Sequence, residues 1–99
     1  MGLRLVGLIR VPRDGVYTFH LSSDDGSRLW ISGSFVIDHD GRHTASEKTG
    51  QIALKKGLHP MVVEYFQAGG GRGLRLSVSS ARMEKREVPE AWLRRRAGT

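Results

Sequence analysis

The sequence predicts an all-β protein, a single antiparallel β-sandwich or barrel with a short C-terminal helical turn, and three observations predict it. Apolar residues alternate with polar ones at period two through most of the chain. Gly, Asp and Pro break that alternation at short intervals, and runs with helical spacing are nearly absent. At 99 residues the chain has room for one domain with one modest core, and not for a cleft between two lobes.

"RLVGLIRV" (4–11) reads as a strand that stops at Pro12, which has no N–H for a ladder. "RDG" turns the chain into "VYTFHLSS" (16–23). Here Tyr17, Phe19 and Leu21 share one face and Thr18 and His20 the other, so this strand has one wet side. "RLWISG" follows an Asp-Asp-Gly corner, "SFVID" follows Gly33, and "DHDGRH" is a polar turn centred on Gly41. After a polar segment, 42–50, "QIALKKG" and "HPMVVEYFQ" read as two strands joined at Gly57. Met61, Val63 and Tyr65 alternate against Val62, Glu64 and Phe66; both faces are partly apolar, which places that strand in the middle of a sheet. "AGGGRG" (68–73) is a loop whose glycines allow close approach of a ligand. It leads into "LRLSVSS" (74–80), with Leu74, Leu76 and Val78 inward. "VPEAWLRRR" (88–96) allows one short helix opened by Pro89. The expected core is Tyr17, Phe19, Leu29, Ile31, Leu54, Val63, Leu74 and Leu76, with one domain over 1–93 and a basic tail over 94–99.

Composition removes several chemistries. There is no cysteine, hence no disulfide, thiolate metal site or cysteine nucleophile. The N-terminal "MGLRLVGLIRVP" lacks a small-residue cleavage site and alternates too early for a signal peptide, and no run approaches membrane-spanning length. The net charge is +6, and half of it lies in 82–99, where Arg82, Lys85, Arg86, Arg94, Arg95 and Arg96 face Glu84, Glu87 and Glu90. A solvated tail accounts for this. Anion binding is the alternative, but only Tyr65, Phe66 and Trp92 of the seven aromatics lie past residue 50, too few to interleave with the cations as a nucleic-acid platform.

Catalysis finds no constellation. Adjacent Asp24 and Asp25 cannot flank a glycosidic bond, whose catalytic carboxylates stand about 5 to 9.5 Å apart on opposite sides. There is no G-x-S-x-G elbow, and "GGGRG" lacks the G-K-[ST] of a phosphate loop. Asp38, His39, Asp40 and His43 match no zinc or EF-hand spacing. His20 and His59 read as surface or half-buried strand residues. Trp30 points away from Leu29 and Ile31, towards strand packing or towards a sugar face.

Three motifs, "PRDGVYTFHLSSDDGSRLWISG", "GQIALKKGLHPMVVEYFQAGGGRGLRL" and a closing "VPEAW", stand in fixed order. In order, spacing and residue type they resemble the lectin-like β domain named after anthrax protective antigen, shared with yeast flocculin adhesins and bacterial glycosidases. The likeness runs from about Leu5 to Leu93. The chain begins close to the family's G-x-I-x-x-P strand, here Gly7, Ile9 and Pro12, so the resemblance implies a barrel without its N-terminal strand.

In an extended trans dipeptide Asp24 and Asp25 leave opposite faces; a cis bond would bring both to one side, at a cost of about 3 to 4 kcal/mol. Ca²⁺, with about six to eight hard oxygen ligands, could offset that cost. Turn chemistry around Gly26 is the other reading of the pair. The resemblance implies the first: flocculins hold Ca²⁺ on such a pair, and vicinal sugar hydroxyls complete the shell. It implies a non-catalytic, extracellular or cell-surface carbohydrate-binding module of adhesion type, with Ca²⁺ as cofactor, Asp24 and Asp25 as metal ligands, and a glycan as partner. Asp24, Asp25, Gly26, Gln67, Gly69, Gly70, Gly71 and Arg72 would form the sugar site, Gln67 being the one side-chain oxygen near "QAGGG". The alternative is an assembly or spacer module that associates with another copy or a neighbouring domain through an unpaired β edge.

Overall fold

The computed structural model describes residues 2–40, 46–66 and 73–95. They form two antiparallel sheets. The strands are β1 (Gly2–Val11), β2 (Gly15–Ser23), β3 (Ser27–Ile31), β4 (Ser34–His39), β5 (Ser46–Leu54), β6 (Gly57–Phe66), β7 (Arg75–Ser80), β8 (Met83–Glu87) and β9 (Leu93–Arg95). A single 3₁₀ turn, Glu90–Trp92, precedes β9. One sheet has the order β4-β3-β6-β1-β9 and the other β5-β2-β7-β8, so the molecule is the expected all-β sandwich.

Its core is Ile9, Val11, Tyr17, Phe19, Leu21, Leu29, Ile31, Ile37, Leu54, Val63, Val78 and Val88. Six of the eight expected core residues are buried; Leu74 and Leu76 are half-buried at its margin. The central placement of the "HPMVVEYFQ" strand holds, since β6 pairs with both β1 and β3. The β3–β4 hairpin turns on Ser32 (φ 52°) and Gly33 (φ 78°), two successive left-handed residues whose twist suits a two-residue hairpin.

Three segments differ from expectation. The polar stretch 42–50 is not wholly a connection: β5 begins at Ser46 and pairs in register with Ser23 of β2. It is an edge strand exposed on both faces over its first four residues, so it shows no alternation. "MEKRE" is a second such edge, β8, paired to β7. The expected C-terminal helix is only the one 3₁₀ turn, in which Trp92 N–H bonds to the Pro89 carbonyl at 2.9 Å. Arg94 and Arg95, expected in the tail, belong instead to β9, which covers β1 at Gly7–Ile9. Trp92 meets Tyr17 edge to face at 6.3 Å between ring centroids, and Tyr17 donates its hydroxyl to the Arg13 carbonyl at 2.6 Å. The closing "VPEAW" thus seals the end of the core.

Candidate functional site

The corner between β2 and β3 is built on two buried serines. Ser23 Oγ donates to the Asp25 carbonyl at 2.6 Å, so Ser27 Oγ, 2.7 Å away, is the donor to Ser23. Both serines are buried, and each hydroxyl finds its partner inside the corner. Asp24 and Asp25 sit half-buried in this bend, joined by a trans peptide. A cis bond is therefore not what shapes the pair. The chain is bent rather than extended at these residues, so strand alternation does not dictate where their side chains go.

Two contacts tie the corner to both stems of the glycine-rich loop. Phe66, the last residue of β6, donates its N–H to the Gly26 carbonyl at 2.7 Å. Gly73 lies against Asp24 so closely that a Cβ there would stand 2.8 to 3.0 Å from the carboxylate atoms, a space only glycine leaves open. Gly73 N–H also donates to the Tyr65 hydroxyl at 3.3 Å. Asp24, Asp25 and Gly26 thus share one rim with the loop's stems. Gln67, Gly69, Gly70, Gly71 and Arg72, the second half of the expected site, lie outside the described residues, as does His43.

The donor set can be tested against Ca²⁺. The carboxylates of Asp24, which lies against Gly73, and of Asp25 are hard oxygen donors of the right kind, and they fit the ion in type. Among the described residues no group of three or more acidic or histidine side chains adds to them. Asp38 and Asp40 are engaged elsewhere, both facing Arg28, and His39 Nε2 lies 3.0 Å from the Ser46 carbonyl. Among the described residues the polar "DHD" segment makes ion pairs and strand-end hydrogen bonds.

The outward faces of the sheets differ in character. On β2 and its neighbours, His20 Nδ1 stands 3.3 Å from Glu47 Oε2 and its Nε2 2.9 Å from Ser79 Oγ, while Lys85 Nζ reaches Glu47 Oε1 at 2.8 Å. The Lys85 hydrogen bond, aided by His20 and opposed by partial burial, holds the Glu47 carboxyl below the ordinary carboxylate range. A depressed folded-state value contributes stability that is present above the ordinary range and lost as pH falls through the depressed value. Glu47 is more than a third exposed, so screening keeps this small. Glu47→Gln should cost no more than about 0.5 kcal/mol near neutrality, with the difference from the parent vanishing on acidification, as pH-dependent thermal melts would show.

On the five-stranded sheet, register lines up Asp38, Arg28, Glu64 and Arg4 across β4, β3, β6 and β1, with successive charges 3.6 to 3.8 Å apart. Asp40, hydrogen-bonded to Arg28, raises that guanidinium further above its ordinary value. The next row is Phe35, Trp30, Val62 and Val6. No local signal predicts either row, since each depends on the register of four strands. Gly73 and the Ser23–Ser27 pair were likewise missed, although the i, i+4 serines around "DDG" are visible in the sequence.

A protein-family profile described as "PA14 domain" matches residues 1–92. The anti-sigma-I factor RsgI3 of Acetivibrio thermocellus is 32% identical over 92 residues, which make up 92% of this chain and 14% of that protein. Among solved structures, an anti-sigma factor domain-containing protein superposes with a TM-score of 0.92 at 30% identity, over 99% of this chain and 35% of that one. A PA14 sugar-binding domain from an RTX adhesin superposes with a TM-score of 0.76 at 26% identity, over 87% of this chain and 49% of that one. The chain therefore spans about a seventh of the curated relative and about a third to a half of these solved chains.

Proposed function

The chain belongs to the PA14 domain family, and from that premise we propose that it is a non-catalytic carbohydrate-binding module of an extracellular or cell-surface protein, with its site at the Asp24–Asp25–Gly26 corner. One observation carries the proposal: the Asp24 carboxylate occupies the space beside Gly73, so the acidic corner shares a rim with that stem of the glycine-rich loop. The sugar-binding domain of the RTX adhesin supports a glycan as the ligand class. The anti-sigma factor relatives leave the larger protein's role as a proposal too, that of a surface sensor or adhesin segment.

In this reading Asp24 and Asp25 hold Ca²⁺. Bound there, the ion would supply positive charge to two like carboxylates, and open positions for sugar hydroxyls. The chain's own part is to fix the corner: Ser23 and Ser27 anchor its backbone, Phe66 clamps Gly26, and Gly73 leaves room for Asp24. Neighbouring carboxylates on one bend do no acid–base work across a glycosidic bond.

The test is thermal melting with and without millimolar Ca²⁺, together with glycan binding with and without chelator. Asp24→Asn and Asp25→Asn should each abolish a Ca²⁺-induced rise in melting temperature, non-additively, and glycan binding should fall with it. Gly73→Ala, which presses a methyl group on the Asp24 carboxylate, should weaken the same response while the fold persists. Glycan binding indifferent to chelator and to both aspartates would remove the corner from the site.

A second reading, an assembly module, draws on a different observation. Among the described residues, β1 is paired on its β9 side at Gly7–Ile9, and Leu3 and Leu5 in its other half are each 51% exposed. Sedimentation velocity separates the two, because a concentration-dependent mass without glycan binding belongs to the second reading alone.

A further inference from the structure

Sandwich strands ordinarily turn polar side chains to water, and the four-stranded sheet does so: Thr18, His20, Ser22, Thr49, Gln51 and Ser79 lie on its outward side. The five-stranded sheet does so only in part, since an apolar row lies beside its charged one. Trp30, on β3, stacks on Phe35 of β4 with centroids 4.9 Å apart and planes 15° apart, and Phe35 is 52% exposed. Val62 of β6 flanks Trp30 on the side away from Phe35. There a shallow cleft of about 300 Å³ opens, lined by Trp30, Val62, Pro60, Gly33, Arg4 and Glu64. Phe35 backs one side of the indole, and the cleft lies at the other.

This cleft does not stand alone. A second one, of about 370 Å³, shares Arg4 and Glu64 with it and reaches Gly26 and Ser27 of the rim. The two form a path along β3 from the acidic corner to Trp30. Ser27 and Trp30 are three residues apart on one strand, roughly 10 Å, farther than a single pyranose reaches.

We infer that this outer face is an extension of the sugar site, on which a neutral polysaccharide chain lies with one ring stacked on Trp30 and its hydroxyls hydrogen-bonded to Arg4 and Glu64. The inference rests on the carbohydrate-binding reading and adds the ligand class: an internal stretch of a neutral glycan rather than a terminal sugar. The chemistry argues for that occupant. An indole offers an apolar face to the C–H side of a pyranose, and an adjoining Arg–Glu pair offers donors and acceptors to its rim. Arg4 and Arg28 are matched along the row by Asp38, Asp40 and Glu64, so the path has no excess of positive charge to draw an acidic polysaccharide or a nucleic acid.

The experiment is calorimetry and tryptophan fluorescence in millimolar Ca²⁺ with cellohexaose, xylohexaose and mannohexaose, their monosaccharides, and a heparin hexasaccharide. It is done on the parent, Trp30→Ala and Arg4→Ala. Trp92→Phe, a change at the core seal, leaves Trp30 as the one emitting indole. The expected result is that a neutral hexasaccharide binds at least tenfold tighter than its monosaccharide and perturbs Trp30 emission. Trp30→Ala, with its melting temperature retained, should lose at least tenfold toward the hexasaccharide, and Arg4→Ala a smaller factor. If the parent binds hexasaccharide and both variants bind it equally well, the extension is wrong while the corner site stands. If the parent binds no neutral oligosaccharide, both readings fall. If it prefers the heparin fragment, or if Trp30→Ala dissolves a dimer, the face serves another partner and the inference is overturned.

Discussion

Phe19→Ala is expected to destabilise the domain by about 3 to 5 kcal/mol and to lower its melting temperature by more than about 10 °C. Phe19 is fully buried on the inward face of β2, between Gly50 of β5 and Val78 of β7. Neither neighbour can expand into the space. Gly50 has no side chain, and Val78 is itself fully buried among other core residues. The truncation therefore costs both the transfer free energy of the ring and the cavity that remains. Natural domains hold about 5 to 15 kcal/mol in total, and one this small lies at the low end, so the variant should be largely unfolded at moderate temperature. Circular dichroism melts check this directly. A melting temperature within a degree or two of the parent would mean that the β2 register is wrong.

Gly50→Ala should be the next most damaging change, although it adds only a methyl group. Its Cβ would stand 2.1 Å from the Val36 carbonyl oxygen, 2.9 Å from Ile37 Cγ1 and 3.0 Å from the Val36 carbonyl carbon. Two of these atoms are backbone and cannot swing aside, so β4 itself must move away from β5. Overpacking of this kind costs typically about 1 to 3 kcal/mol, offset by about 0.4 to 1 kcal/mol because alanine restricts the unfolded chain. The cause lies in the β3–β4 register. Leu29 faces Ile37 but Trp30 faces Phe35, so Val36 is the extra residue of a bulge, and its carbonyl approaches the other sheet. A variant as stable as the parent would place β4 and β5 farther apart than described here.

The fold was legible where one face of a strand is buried and the other wet. Tyr17, Phe19 and Leu21 on β2, and Leu29 and Ile31 on β3, alternate because only one side of each strand meets the core. The first half of β5, and β8 and β9, were not legible: edge strands with nearly every side chain in water carry no such period. Pro89 and the following "EAW" suggest a helix, and tertiary pairing of Leu93–Arg95 with Gly7–Ile9 ends it after one turn. At the site, the Asp24–Asp25–Gly26 corner was visible because it is contiguous. Its partner Gly73 and the Arg4–Glu64–Arg28 row were not, since they come together only through strand pairing. Alternation separated Trp30 from Leu29 and Ile31 but left strand packing and a sugar face both open, and its stacking on Phe35 depends on the bulge, which no local pattern announces.

The central claim is that Asp24 and Asp25 stand side by side in order to hold a divalent cation at the sugar-binding rim. Calorimetric titration of Ca²⁺ into the chelator-stripped protein tests it most directly. The account predicts a weak, saturable heat at millimolar Ca²⁺ that disappears in Asp24→Asn and in Asp25→Asn, and that strengthens when the bound glycan is present, as reciprocal linkage between the two ligands requires. A titration with no heat in the parent, or with equal heat in all three proteins, would contradict it and leave the pair as the turn chemistry of a bend.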